Sequence, residues 1–369
     1  MRRFLALTTA LTLTLFLLPL LAAGRRAPAD ADGVLVPDPR PPAAGPAANL
    51  TAPLPRPDAP PSAGGGPSAG AAPLSAAPAE GGGDETHKIR VLVGDTVQEM
   101  SLSMYLFGVL AAEMPADFPT EALRAQSVAA RTNAVSKQRA ARGANGPPAA
   151  HKGADICDNY AHCQAYLPRA DALARWGDGA ARAAEAVTRA VRDTDAQILV
   201  YDAQPISAVF HAISSGRTER AADVWGADIP YLQAAESPGE TDAPGYAGRV
   251  ELPAAAFRAA VRAMAPEAKL DGPPAGWFGT PTRSPSGGVV TIPVGGVTLT
   301  GPQVRAAAEL RSANFEVSAD GETLIFRTVG YGHGVGMSQY GARALALQGH
   351  TYEEILARYY SGAQLTTYR

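Results

Sequence analysis

Positive charge is scarce relative to what a polyanion binder needs. Lys and Arg together number 32 against 35 Asp and Glu, a formal net charge of −3, and no stretch gathers the basic residues on one face. That excludes DNA or RNA as the partner, since nucleic-acid affinity rests on clustered cationic side chains. Cysteine is nearly absent, with two residues, and histidine numbers six in 369. No HExxH run is present, so a zinc hydrolase with its usual general base is not encoded. The glycine-rich run Gly330–Gly341 has no lysine of the P-loop type and lacks the dinucleotide fingerprint spacing, which removes nucleotide binding.

One long apolar run is present, Phe4 to Ala23, behind Arg2 and Arg3. Its length is close to the roughly 20 residues that span a bilayer, and the leading arginines favour a cytoplasmic N-terminus, so residues 1–24 read as a signal-anchor. Leu21-Ala22-Ala23 leaves signal-peptide cleavage open, in which case the chain is secreted. Residues 25–87 are rich in Pro, Ala and Gly with almost no aromatic side chains, the composition of a disordered tether. The expected catalytic domain is 88–369.

Within it, Met104 to Gln138 reads as two helices around a corner. Tyr105, Leu106, Val109 and Leu110 recur at helical spacing, and Pro115 drives Met114 to an extended conformation and ends the first helix. Glu113 then sits at a helix C-terminus, against the dipole and beside Leu110 and Met114. Both effects raise a carboxyl pKa, as a general acid requires. The second helix is expected to open at Thr120 as N-cap. Arg131 lies on its apolar side between Val128 and Val135, where a guanidinium must find a carboxylate or another acceptor.

The two cysteines and two of the histidines fall in thirteen residues, His151 to Cys163, with Cys157 and His162 between them. Two thiolates and two imidazoles complete a closed, structural tetrahedral Zn²⁺ site. Such a site is expected to support the fold and leave the chemistry of the groove alone. A Cys157–Cys163 disulfide is the alternative in an exported chain. Leu167 to Val191 reads as one helix. Gln197–Tyr201 and Ile206–Ile213 read as a hairpin leading into Ser214-Ser215-Gly216-Arg217-Thr218. Trp225 and Tyr231 follow, and with the small hydroxylated residues they could form a floor for sugar rings. Residues of about 250–328 form a smaller inserted lobe with turns at Gly295-Gly296 and Asp320-Gly321, one wall of a substrate groove. The fold class expected is α+β, with mixed helices and antiparallel strands.

The runs AAEMPADFPTEALRAQSVAART, FHAISSGRT and GHGVGMSQYGA resemble, in this order, the motifs of the stage II sporulation protein D family, over about Lys88 to Arg369. The resemblance implies a membrane-attached lytic transglycosylase that cleaves the β-1,4 MurNAc-GlcNAc bond in peptidoglycan strands lacking stem peptides, in sporulation, engulfment or cell-wall remodelling. Glu113 is then the catalytic acid. Arg131, Ser214, Ser215, Tyr231 and Gln339 would meet the glycan or its network. Zinc at His151, Cys157, His162 and Cys163 is implied by some members, and a cell-wall amidase and a membrane protein are implied as partners. Gln233 departs from the family, which more often has a basic residue there. The alternative function is a non-catalytic glycan binder that activates an amidase.

Overall fold

The computed structural model describes residues 83–368. The expected signal-anchor and residues 25–82 of the expected linker lie outside the described residues. Among the described residues no helix is long and apolar enough to cross a membrane.

The described chain opens with a short helix, α1 (Gly83–Thr86), and a hairpin, β1 (Lys88–Val93) and β2 (Thr96–Ser101), that feeds directly into α2 (Leu102–Glu113). Ser101 caps α2 by accepting the Met104 N–H. The end of α2 follows the proline rule, with Met114 at φ −133° and ψ 138°. Where one buried stripe was expected, nearly the whole helix is enclosed: Phe107, Gly108 and Ala111 are buried together with Tyr105, Leu106, Val109 and Leu110. Each such aliphatic or aromatic side chain contributes on the order of 2 kcal/mol by leaving water. This makes α2 a core helix rather than an amphipathic one.

The central helix is α3 (Thr120–Ala141), whose N-cap is Pro119, with no side-chain cap, instead of the expected Thr120. Its Glu121 binds Arg124 and accepts the backbone N–H of Tyr352, tying the start of α3 to the C-terminal region. A two-residue strand, β3 (Ile156–Cys157), runs parallel to β1. The stretch expected as a single helix is two, α4 (Arg169–Trp176) and α5 (Ala180–Asp193). Gly177, at φ 51°, breaks them apart.

β4 (Gln197–Tyr201) pairs antiparallel with only two residues, β5 (Gln204–Pro205), through a turn in which Asp202 and Ala203 both have positive φ. The chain after Pro205 does not continue that hairpin, as was expected. It turns away, and β6 (Phe210–His211) pairs parallel with a strand more than 120 residues later. A short helix, α6 (Ala221–Trp225), follows.

Residues 247–329 build a second core. It contains β7 (Ala247–Pro253), α7 (Ala254–Met264), β8 (Thr282–Arg283), β9 (Val289–Val294), β10 (Val297–Thr300), α8 (Gly301–Ala307), β11 (Phe315–Asp320) and β12 (Thr323–Val329). The sheets are ordered β11-β12-β7 and β10-β9-β8, all antiparallel, and Phe257, Trp277, Phe315 and Phe326 pack between the elements. The chain then returns to the first core through β13 (Met337–Ser338), α9 (Gln339–Leu347), α10 (Tyr352–Tyr359) and β14 (Gln364–Thr367), which pairs with β4. The class is α+β with small, mostly antiparallel sheets; the two parallel pairings, β1–β3 and β6–β13, join distant parts of the chain.

Arg131 corrects two expectations at once. It is fully buried, and its guanidinium is held by the Asp84 carboxylate at 2.6–2.9 Å, by the carbonyls of Val191 and Gln197, and by Thr194. No glycan can reach it. Asp84 is itself buried, on the helix α1 that the composition had placed in the tether, and the Asp195 carboxylate caps that helix by accepting the Gly83 and Asp84 N–H groups. Breaking a buried pair by removing one partner costs about 3–5 kcal/mol. Asp84→Ala should therefore lower the melting temperature by on the order of 10 °C. A fragment starting at Lys88 should be destabilised alongside it relative to one starting at Gly83, as read by thermal unfolding; equal melting temperatures would show that the pair contributes little.

Candidate active site and metal centre

Glu113 closes α2, and its side chain lies in the angle between α2 and the segment that follows Cys163. Burial pushes its pKa up to about 7, against the N–H of Ala165 and the side chain of Gln339, both of which favour the carboxylate. The Ala165 N–H donates to Oε1 at 2.8 Å. Glu113 is thus not a loose helix end: a specific backbone donor fixes one oxygen. Gln339 is buried and opens α9, beside the carboxyl group. Its side chain favours the carboxylate form of Glu113, and its Nε2 has no other hydrogen-bond partner.

Residues 164–167 run back along α2 and reach Glu113 through a series of bonds. Gln164 donates to the Tyr105 hydroxyl and the Ala130 carbonyl, Tyr166 stacks on Tyr105 with ring centroids 5.6 Å apart, and Leu167 N–H donates to the Gly108 carbonyl. A side chain at Gly108 would collide with the Tyr166 ring, so the close approach needs glycine.

Immediately upstream sits the donor set. The ligand atoms of His151, Cys157, His162 and Cys163 all lie within 4.8 Å of one another, and both thiols are free. Cys157 Sγ is 3.5 Å from His162 Nδ1, and Cys163 Sγ is 3.5 Å from His151 Nε2 and 3.8 Å from His162 Nδ1. A tetrahedral Zn²⁺ with ordinary bond lengths requires sulfur–nitrogen edges of about 3.5 Å, which these match. The two imidazole nitrogens stand 2.8 Å apart and would have to separate by about half an ångström. Four donors leave no open coordination position. The base of the loop is fixed by β3 and by Asp155, whose carboxyl accepts from Arg142, Gln138 and the Arg90 N–H; these outweigh its burial and hold its pKa at about 2. The Ala165 N–H that touches Glu113 belongs to the second residue after Cys163.

The other expected site residues fall in different places. Ser214 is buried; its N–H and hydroxyl both donate to Glu240, which also accepts from Ser237 and Ser338. It therefore cannot offer its hydroxyl to a glycan. Ser215 donates to the Ser286 carbonyl of the smaller lobe. Tyr231 accepts the Ser207 N–H and its ring lies against Tyr201. Trp225 is exposed, with its ring 5.3 Å from that of His333. His333 is kept neutral, its pKa driven down to about 3 by burial, and its Nδ1 accepts the Val335 N–H, so it serves the loop and not proton transfer. Glu240 was missed because nothing in its sequence neighbourhood marks it. It holds Ser338, the N-cap of α9, and so fixes where Gln339 projects.

The family profile described as stage II sporulation protein matches residues 94–201, the span that holds Glu113, Arg131 and the four His and Cys donors. The chain is 38% identical over 272 residues to stage II sporulation protein D of Bacillus subtilis (strain 168), covering 73% of this chain and 76% of that protein. It belongs to the stage II sporulation protein D family. The Bacillus amyloliquefaciens protein of the same name is 35% identical over 271 residues, again 73% and 76% of the two chains. The amidase enhancer of Bacillus subtilis (strain 168) is 26% identical over 314 residues, 71% of this chain and 40% of that one.

The raised pKa of Glu113 has a stability consequence with a definite sign. The folded pKa near 7 exceeds the unfolded value of 4.5, so the native state binds the extra proton and stability falls as pH rises from about 4.5 to about 7. Glu113→Gln removes that loss while its amide oxygen keeps the Ala165 bond. The variant should match the wild type in melting temperature below pH 4.5 and exceed it increasingly up to pH 7, with a constant difference above; parallel curves across that range would mean that the carboxyl is not desolvated.

Proposed function

We propose that this member of a family associated with sporulation and cell-wall degradation is a lytic transglycosylase acting on peptidoglycan glycan strands that lack stem peptides. The observation that carries the reading is a single carboxyl group poised near neutral pH. The groups that set its pKa are its burial, a backbone N–H and an amide, and none is a second carboxylate. Glycoside hydrolases use two carboxyl groups, whereas intramolecular cleavage needs one.

In the forward step protonated Glu113 gives its proton to the glycosidic oxygen as the bond to the MurNAc C1 breaks. The resulting carboxylate takes the proton of the MurNAc C6 hydroxyl, which attacks C1 and closes a 1,6-anhydro ring, so the acid is regenerated without water. A pKa near 7 suits a group that must be acid and then base at neutral pH. The Ala165 N–H stabilises the carboxylate stage while leaving the other oxygen for the substrate. The amide of Gln339 supports the same carboxylate stage.

Zn²⁺ at His151, Cys157, His162 and Cys163 would supply no Lewis acidity to the reaction. It would cross-link the loop whose next residues hold Glu113. The chain would act on the extracytoplasmic face of the membrane through its N-terminal segment, or as a secreted protein, with a cell-wall amidase and a membrane protein as partners. The likeness to the amidase enhancer supports a second reading, a glycan binder that stimulates an amidase without cutting. Glu113→Gln separates the two, because a binder keeps its function and an enzyme loses it.

Digestion of amidase-treated peptidoglycan by the wild type should release 1,6-anhydro ends that incorporate no oxygen from labelled water. Glu113→Gln and Glu113→Asp should each reduce the rate by at least about 10²-fold. Reducing MurNAc ends from the wild type would indicate hydrolysis and remove the single-carboxyl mechanism. For the metal, the purified protein should carry about one equivalent of zinc, and Cys157→Ser should lower both the melting temperature and the rate of strand cutting. Metal-free protein with a Cys157–Cys163 disulfide would dispose of the zinc proposal.

A further inference from the structure

A second carboxyl group lies outside the machinery above. Glu219 is only 8% exposed. Its backbone N–H donates to the Gly334 carbonyl at 2.7 Å, and its Oε1 accepts the Gly288 N–H at 3.0 Å, so it joins the glycine-rich loop to the smaller lobe. Its Oε2 has no hydrogen-bond partner of normal geometry, with the Ser284 hydroxyl close enough to favour the carboxylate. An unpaired oxygen on a buried carboxyl group is costly unless something supplies a donor.

A cavity of about 30 Å³ opens at this residue, between the Ile213–Val224 segment and the smaller lobe. A single water needs roughly 10–15 Å³ by the same measure, so the space admits a substituent of a few atoms and not a sugar ring. Ile213, Val224 and Val289 form an apolar side, and Ser284, Asn314 and His333 are among the polar groups of the wall. Arg217 lines the cavity and its charge favours the Glu219 carboxylate, so the site does not call for a cationic ligand. His333 is neutral, Arg217 reaches out to Glu236 at 3.7 Å, and Asp223, paired with Arg220 at 3.3 Å, adds negative charge. The complementary group is therefore small and neutral, with one donor and one apolar end.

The geometry points to the acetamido group of an N-acetylhexosamine as the occupant, its N–H donated to Glu219 Oε2 and its methyl enclosed by Ile213, Val224 and Val289. A bare sugar hydroxyl could satisfy the oxygen but would leave the apolar side empty. This inference rests on the glycan reading above and adds a subsite to it. Gly334, bonded to Glu219, and Gln339, beside Glu113, are five residues apart, at most about 18 Å of chain. The cavity thus lies within a few sugar rings of the reacting bond.

The test compares chitohexaose with cellohexaose, which has the same β-1,4 backbone but a hydroxyl in place of each acetamido group. Binding is measured by calorimetry on the full chain in detergent, in a Glu113→Gln background so that nothing is cut. Chitohexaose should bind at least about tenfold more tightly. Adding Glu219→Gln should collapse that preference to within about twofold. The amide oxygen must keep the Gly288 N–H, which turns the NH₂ donor towards the acetamido N–H. Val224→Phe, which fills the cavity and leaves the carboxyl group intact, should abolish the preference equally and decides the matter if Glu219→Gln proves unstable. A preference that survives either folded variant, or equal binding of the two hexaoses by the parent, overturns the acetamido subsite and leaves a solvent-filled cavity while strand cutting stands. Failure to bind either hexaose or denuded strands overturns the glycan reading itself.

Discussion

The burial of one guanidinium constrains everything else in the first core. Arg131 sits at the middle of α3 with no exposure to water, and each face of its planar fork meets an acceptor from a different element: Asp84 of α1, Ser127 one turn back, Val191 of α5 and Gln197 of β4. A point charge on a flexible stem could not satisfy so many directions at once. The small residues around it, Ala130, Ala134 and Ser127, let α2 and α5 come close enough to exclude solvent. At the end of α2, burial separately raises the pKa of Glu113.

At Glu113 two opposed effects are balanced. Desolvation favours the acid, and the Ala165 N–H with Gln339 favours the carboxylate. Without the donors the group would be trapped as an acid, and without burial it would be a permanent carboxylate at neutral pH. The donor belongs to the backbone, which explains why its placement is delegated to a rigidly bound loop: a main-chain N–H can be aimed only by fixing the chain on both sides of it. The Gln164 side chain, bonded to Tyr105 and the Ala130 carbonyl, fixes one side, and Tyr166 against Gly108 fixes the other.

Much of this corner was legible in the sequence because local rules dominate there. Pro115 fixes the conformation of Met114, and the spacing of Tyr105, Leu106, Val109 and Leu110 gives the helix. The four His and Cys side chains are grouped within thirteen residues, so their meeting needs little chain closure. Legibility fails where the partner is distant or is main chain. Arg131 advertised a need for an acceptor, but Asp84 lies 47 residues upstream in a run whose composition resembles a tether. Ile206–Ile213 has the alternation of a hairpin strand, yet its partner is Met337–Ser338, because a residue at Gly336 with a side chain would meet the Val209 carbonyl and only glycine permits the pairing. Ala165 carries no signal at all, since the group that matters is common to every residue. Ser214 was read as a substrate hydroxyl because its neighbours are small and polar, and Glu240 claims it instead.

The two ends of the described chain meet. The Tyr368 hydroxyl donates to Asp84 Oδ1 at 2.7 Å, the Tyr368 N–H donates to the Ala196 carbonyl, and β14 lies against β4 next to the Asp195 that caps α1. Mechanically this is a clasp. A pull on the chain ahead of Gly83 is resisted first by a cluster of charge-assisted bonds that fastens the last strand as well as the first helix. Such a load passes from Asp84 into α3 through Arg131 and on to α5 and β4, whose carbonyls the same guanidinium holds.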